Sequence, residues 1–438
     1  MLRAKIVDSA RFFACFLLVS VFVIAPAQPS AQTPAPSEGK SADVPALLKA
    51  ANDALDRKDF EGAVKSLNAV LEVEPEMPEA WFTLAYAYTG LNKDEEAVNA
   101  YKKTLEIQPG IFEAHLNLGI LLVELKRPEE AVPHLAEACE LKPEHVLAHL
   151  FSGRALAATG KPEAARKELE EALRLDPSLS SGHLALGELL LMQKDFRGAL
   201  DAFTKAAELD AALTRANLGR ALALNGLGRA MEAAESLEKY LASNPQDLEV
   251  RTQLAQIYVD QDQVEKAIVH LQAIRAGNPR QPGIIEALGN ASTRLKKFAD
   301  AEKYYREAIA AQPRSAGLHR ALGDALMHLE KFPEAEAEFR TCLKLEPKNL
   351  AAFRGLAMSL YLQKRYPDAI PLFEVQAAMA DAPAAVFFLL ATSYDHLHIA
   401  PKALENYERF LKLSQNQSPD QEWQARQRAK LLQRQLQK

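Results

Sequence analysis

The stretch Met77–Pro109, MPEAWFTLAYAYTGLNKDEEAVNAYKKTLEIQP, reads as two amphipathic helices joined by a tight turn. Trp81, Leu84, Ala85 and Tyr88 are spaced by three or four and share one helical face. The cluster Gly90-Leu91-Asn92-Lys93 breaks the pattern. Ala97, Tyr101, Thr104 and Leu105 make a second face. It stops at Pro109, because proline lacks an amide proton and restricts the residue before it.

A shift of 34 residues carries this stretch onto its neighbours. Proline recurs in phase at Pro75, Pro109, Pro143, Pro177, Pro245, Pro279, Pro313 and Pro347. One slot is alanine in every copy, from Ala63, Ala97 and Ala131 through Ala301 to Ala403. Twelve residues before it stands Gly or Ala, as in Ala85, Gly119, Gly153, Gly187, Gly289 and Gly323. Four residues after it stands a large apolar side chain, as in Tyr101, Leu135, Leu169, Phe203, Tyr305 and Phe339. Two antiparallel helices approach closely only where the contact carries small residues, and the large residue one turn on fills the space beside it.

The 34-residue period and the W-L-G-Y-A-F-A-P slots resemble the tetratricopeptide repeat (TPR). The resemblance runs over eleven copies, 44–417, starting near 44, 78, 112, 146, 180, 214, 248, 282, 316, 350 and 384. It implies an all-α, right-handed superhelical solenoid of helix-turn-helix repeats. A solenoid grows without a single globular core, so length does not dictate several domains. The last segment, 418–438, reads as a C-terminal capping helix. Ser418 and Gln421 have capping-box spacing. Trp423, Ala429, Leu432 and Leu436 are expected to cover the last repeat, with Arg426, Lys430 and Arg434 facing water.

Ahead of the repeats, Arg3, Lys5 and Arg11 precede an apolar run from Phe12 to Ala25, and Ala25-Pro26-Ala27 follows as a small-x-small site. This predicts a secretory signal peptide over 1–27 and a periplasmic or extracellular chain; an uncleaved membrane tether is the alternative. Residues 28–43, rich in Pro, Ala and Ser, read as a disordered linker. Cys139 and Cys342 stand repeats apart, too far for a bridge, and read as small apolar fillers. The net charge of −6 and the absence of a basic block exclude nucleic acid as a natural partner.

Acidic pairs such as Asp94-Glu95-Glu96, Pro128-Glu129-Glu130 and Pro162-Glu163 recur at one repeat position, where carboxylates favour a helix N-terminus. They do not suggest an acid/base dyad. His115, His149, His183 and His319 share the slot of Trp81, so flat packing groups are expected there. Stacked repeats hold them too far apart to share one metal ion. The string Asn225-Gly226-Leu227-Gly228 lacks the third glycine and the strand of a dinucleotide loop. No phosphate loop, zinc-protease or nucleophile-elbow motif appears. The chain therefore reads as no enzyme, with no cofactor, no metal and no small-molecule substrate.

The resemblance further implies that first helices line a groove for peptides or protein partners. By repeat slot that groove includes Asn117, Leu150, Phe151, Arg154, Leu184, Asn290, Arg294, Arg320 and Arg354. Leu150, Phe151 and Leu184 make an apolar stretch, a mark of a partner site if exposed; packing between neighbouring first helices is the other reading of Leu150 and Leu184. Asn290, Arg294, Arg320 and Arg354 suit a carboxylate held by forked hydrogen bonds. The expected function is a protein-protein interaction scaffold of the cell envelope. The alternative is an accessory subunit of an enzyme or of an envelope assembly or secretion complex.

Overall fold

In the computed structural model, residues 43–279, 281–415 and 417–437 are described. The leader and nearly all of the linker lie outside them. Every regular element among the described residues is an α-helix. Two compact units divide near Tyr240.

The first unit holds α1 (Val44–Asp56), α2 (Phe60–Val73), α3 (Pro78–Gly90), α4 (Asp94–Ile107), α5 (Phe112–Glu124), α6 (Pro128–Leu141), α7 (Val146–Ala158), α8 (Pro162–Leu175), α9 (Ser180–Met192), α10 (Phe196–Leu209), α11 (Thr214–Gly226) and most of α12 (Ala230–Ser243). The second holds α13 (Leu248–Asp260), α14 (Val264–Gly277), α15 (Pro282–Arg294), α16 (Phe298–Ala311), α17 (Ala316–His328), α18 (Phe332–Leu345), α19 (Leu350–Leu362), α20 (Tyr366–Ala377), α21 (Ala384–His396), α22 (Ala400–Ser414) and α23 (Pro419–Leu436). Within each unit the odd helices pair with the even helices that follow them as first and second helices of successive repeats, as α1 with α2 through α9 with α10 and α13 with α14 through α21 with α22, and α23 packs on α22. This is the expected all-α solenoid with its terminal helix.

The repeat slots are the core. The alanines at 63, 97, 131, 165, 199, 233, 267, 301, 335, 369 and 403 are all 0% exposed. A Cβ added to Gly119, Gly153, Gly187, Gly289 or Gly323 would come within 2.5–2.8 Å of Leu135, Leu169, Phe203, Tyr305 or Phe339 of the paired helix. Cβ atoms essentially never approach their neighbours so closely, so these glycines set the helix separation.

Gly90 is not the breaker the sequence suggests. It closes α3, where a Cβ would meet the Phe60 ring at 2.6 Å. The turn is made two residues later. Residues 58, 92, 126, 160, 194, 228, 262, 296, 330, 364 and 398 all have positive φ, in phase with the repeat. Only Gly160 and Gly228 among them are glycine; Lys holds five of the slots (Lys58, Lys126, Lys194, Lys296 and Lys364). The following amide reaches back across the last turn, as in Arg127 N–H to the Leu122 carbonyl at 2.8 Å. That is a Schellman closure, which normally favours glycine.

Acids open the second helices as expected. Asp94, Glu95 and Glu96 fill the first turn of α4, and Glu129 and Glu130 that of α6. Arg127 donates to Glu130 (2.6 and 2.9 Å) and to Glu95 of the preceding second helix (2.9 and 3.0 Å). Hydrogen bonds from Arg127 and then Lys102 hold the Glu130 carboxyl at about 2.

The capping helix departs from its expected register. Ala425, Ala429, Leu432 and the Glu422 side chain are buried, whereas Trp423 is 66% and Leu436 48% exposed. Glu422 accepts from Ser414 Oγ at 2.6 Å, and Arg428 makes two 2.7 Å hydrogen bonds to Asp395. These polar ties accompany a register that buries Glu422, Ala425, Ala429 and Leu432 and leaves Trp423 exposed. Ser418 makes no side-chain cap.

Candidate functional site

Slots spaced by four along each first helix form one face, and the same slots recur in the next repeat. In the second unit these are Asn290 and Arg294 on α15, Arg320 and Asp324 on α17, Arg354 and Met358 on α19, and Phe388 and Thr392 on α21. Helix α15 packs on α17, and α17 on α19. The slots therefore run as rows across adjacent first helices.

Their polar groups are partly engaged already. The Tyr305 hydroxyl donates to Asn290 Oδ1 at 2.8 Å. Arg294 donates to Asp262 at 2.6 Å and to the Val259 carbonyl at 3.0 Å, tying α15 to the previous repeat. Arg320 donates to Asp324 at 2.5 Å; burial raises the Asp324 carboxyl, against the opposing pull of Arg320. Arg354 is exposed, and no ion pair to it occurs among the described residues. Of the four groups expected to hold a carboxylate, Arg354 alone is uncommitted, Arg320 has one small movable partner, and Arg294 and Asn290 also serve the packing between helices.

The first unit corrects the expected apolar patch. Asn117, Leu150 and Phe151 are 1–3% exposed and Leu184 is 9% exposed. They are core side chains, because these first helices are covered by their own partner, by the preceding second helix and by a neighbouring first helix. Arg154 is half-buried with its guanidinium 5.5 Å from the centre of the Phe151 ring, and Met192 is 69% exposed. Asn117 lies buried beside the Tyr101 hydroxyl, whose ionisation burial opposes.

The histidine slot is polar, not only flat. Trp81 Nε1 and the Nε2 atoms of His115, His149, His183 and His319 sit 2.8–3.0 Å from the carbonyls of Pro75, Pro109, Pro143, Pro177 and Pro313, each six residues back. Arg251 reaches the Pro245 carbonyl in the same way, at 2.8 and 3.0 Å. The ring N–H satisfies a carbonyl in the turn after each second helix. Tryptophan, histidine and arginine have such a donor in common, and that was the readable signal.

An open surface cavity of about 610 Å³ lies where α23 meets α22, lined by Glu408, Leu411, Trp423, Arg426, Lys430 and Gln433. No helix of the described residues is long and apolar enough to cross a membrane.

The tetratricopeptide repeat profile matches residues 48–111, 95–146, 116–180, 152–213, 184–247, 286–343 and 320–383, and a second tetratricopeptide repeat profile matches 224–288. No curated protein matches the chain. Among solved structures, MamA (41-end) of Desulfovibrio magneticus RS-1 is 24% identical, covering 40% of this chain and 99% of its own, with a TM-score of 0.38. YrrB, a TPR protein with an unusual peptide-binding site, is 22% identical over 43% of this chain and 94% of its own, TM-score 0.39. PilW, a type IV pilus biogenesis factor, is 23% identical over 48% of this chain and 98% of its own, TM-score 0.42.

Proposed function

Because the chain belongs to the tetratricopeptide repeat family, whose members generally mediate protein-protein interactions, we propose that it is a non-catalytic scaffold that holds a peptide or protein partner along its first helices. The observation that carries this reading is the row on the second unit, where the uncommitted Arg354 follows the exchangeable Arg320–Asp324 pair one repeat earlier. An acidic side chain or a C-terminal carboxylate on the partner can displace Asp324 from Arg320 and take Arg354 as well. An Arg–carboxylate pair is directional and bidentate, so two such residues on successive repeats set the register of an extended ligand. Most of the affinity then comes from a few anchors, with the remaining surface supplying fit.

The leader reading supports export to the cell envelope: Arg3, Lys5 and Arg11 precede an apolar run that ends at Ala25-Pro26-Ala27. N-terminal sequencing of the mature chain tests it, with Gln28 expected as the first residue and Met1 overturning cleavage.

The partner reading is tested by affinity capture from envelope extract of the source cell, comparing the native chain with Arg320→Glu/Arg354→Glu. The control is Arg174→Glu, whose side chain pairs with Glu171 on a second helix. Loss of the captured protein in the double variant alone supports the groove. Equal capture by all three chains overturns it. A second reading, an accessory subunit docked through the capping helix, is favoured by the exposure of Trp423 in the α22–α23 cavity. It expects one complex at fixed stoichiometry, lost on Trp423→Ala.

A further inference from the structure

Away from the groove, three ligand-type side chains of different chemistry meet in the first unit. They come from three successive helices: Cys139 from α6, His149 from the first turn of α7, and Glu168 from α8. One ligand atom from each lies within 4.8 Å of the other two. Nδ1 of His149 is 2.7 Å from Oε2 of Glu168, and Sγ of Cys139 is 3.8 Å from that same oxygen. The His149 and Glu168 side chains are 10% and 24% exposed, so the cluster is sheltered yet reachable from solvent.

We propose that Cys139, His149 and Glu168 bind a zinc-class divalent cation, with the fourth coordination position open to water.

The geometry is close to what such an ion needs. Zinc takes sulfur at about 2.3 Å, imidazole nitrogen at about 2.0–2.1 Å and carboxylate oxygen at about 2.0–2.2 Å, in a tetrahedron. Those lengths place the three ligand atoms roughly 3.4–3.6 Å apart. The Sγ–Oε2 separation already matches, and the Nδ1–Oε2 hydrogen bond must open by less than about 1 Å, within the swing of a glutamate side chain. Zinc-bound histidine almost always donates its second ring N–H to a carbonyl or carboxylate. His149 has that support: its Nε2 is 2.9 Å from the Pro143 carbonyl, which turns Nδ1 toward the cluster.

A dication held between the Cys139 thiol and the Glu168 carboxylate makes thiolate the stable form. On binding, the thiol proton and the proton shared by Nδ1 and Oε2 pass to solvent.

The repeat supplies its own control. His319 and Glu338 occupy the same slots five repeats on, at 2.6 Å, with Nε2 3.0 Å from the Pro313 carbonyl. There the cysteine slot holds Ile309. The ion pair is thus a recurring packing device, and Cys139 is what converts one copy of it into a three-ligand site.

The test uses the full chain, untagged, stripped with chelator and kept under a non-thiol reductant. It is titrated with Co²⁺, then Zn²⁺, following the thiolate-to-cobalt charge-transfer band and the bound metal per chain after desalting. One ion per chain is expected, displaced by zinc. Cys139→Ala abolishes the band and the ion, Cys342→Ala leaves both, and Ile309→Cys raises the count to two. Circular dichroism of each variant confirms that it is folded. A native chain with no band, an ion retained by Cys139→Ala, or a single ion in Ile309→Cys overturns the proposal.

Discussion

Repeats four and nine use the same local geometry with different consequences. In both, a histidine in the first turn of the first helix joins a proline carbonyl six residues back to a glutamate on the second helix: Pro143–His149–Glu168 and Pro313–His319–Glu338. Corresponding distances agree within 0.1 Å. In both, a glycine faces a large side chain, Gly153 against Leu169 and Gly323 against Phe339. Among the differences between them, two bear on this geometry: Cys139 against Ile309, on the preceding second helix beside the His–Glu pair, and Gly160 against Glu330 in the turn. A solenoid can thus keep its packing constant while single slots vary, because each repeat contacts only its neighbours. The shared slots carry stability, and the variable ones are free to carry recognition or metal chemistry.

The largest expected effect falls on a shared slot. Gly153→Leu and Gly323→Leu should each destabilise their repeat by about 3 kcal/mol, because the new side chain must enter space already filled by Leu169 or Phe339. Equal losses in amide-exchange protection on the paired helices, α7 with α8 and α17 with α18, are the measurement. Loss in one repeat only would break the equivalence of the two frames.

Next come Glu168→Gln and Glu338→Gln. Each leaves the histidine facing a neutral acceptor in place of a carboxylate. Hydrogen bonds to charged groups contribute about 1.5–3 kcal/mol, and these side chains are 24% and 20% exposed, so about 1–2 kcal/mol is expected for each. In metal-free buffer the two variants should match. With zinc present, Glu168→Gln should also forfeit the stabilisation that the ion adds by binding only the folded state, while Glu338→Gln should not change. Identical behaviour with and without zinc would reduce repeat four to a second ion pair.

The sequence showed some of this and concealed the rest, for reasons that lie in particular residues. The helix pairs were readable because Ala63 through Ala403 and the facing large residues obey one period, and the structure buries all of them. The groove was less readable. Leu150 on α7 and Leu184 on α9 lie on helices covered on several sides, so position along the helix does not tell outward from inward, whereas Arg354 is exposed. Cys139 was read as a filler because its partners lie 10 and 29 residues away on two other helices. The histidine slot was read by shape alone, although Trp81, His149 and Arg251 share a donor and a fixed distance to proline.

The smallest expected effect tests the other difference between the two repeats, the turn. Glu330 has φ 60° and Gly160 φ 72°, so both occupy the left-handed region, where a side chain other than glycine or asparagine is strained by about 1–2 kcal/mol. A Cβ at Gly160 would meet nothing within 4 Å, so backbone strain, not crowding, separates the two residues. Glu330→Gly relieves that strain in the folded state but frees the unfolded chain, which offsets about 0.4–1 kcal/mol of the gain. The net is a stabilisation of about 0.5 kcal/mol, and Gly160→Lys should lose a similar amount. Global unfolding of so long a chain is not two-state, so the effect must be read locally. Slower amide exchange over α17 and α18 in Glu330→Gly, with α7 and α8 unchanged, is expected. No change would mean that the Schellman hydrogen bonds hold the turn whatever its residue, which would explain why lysine is tolerated at Lys126, Lys296 and Lys364.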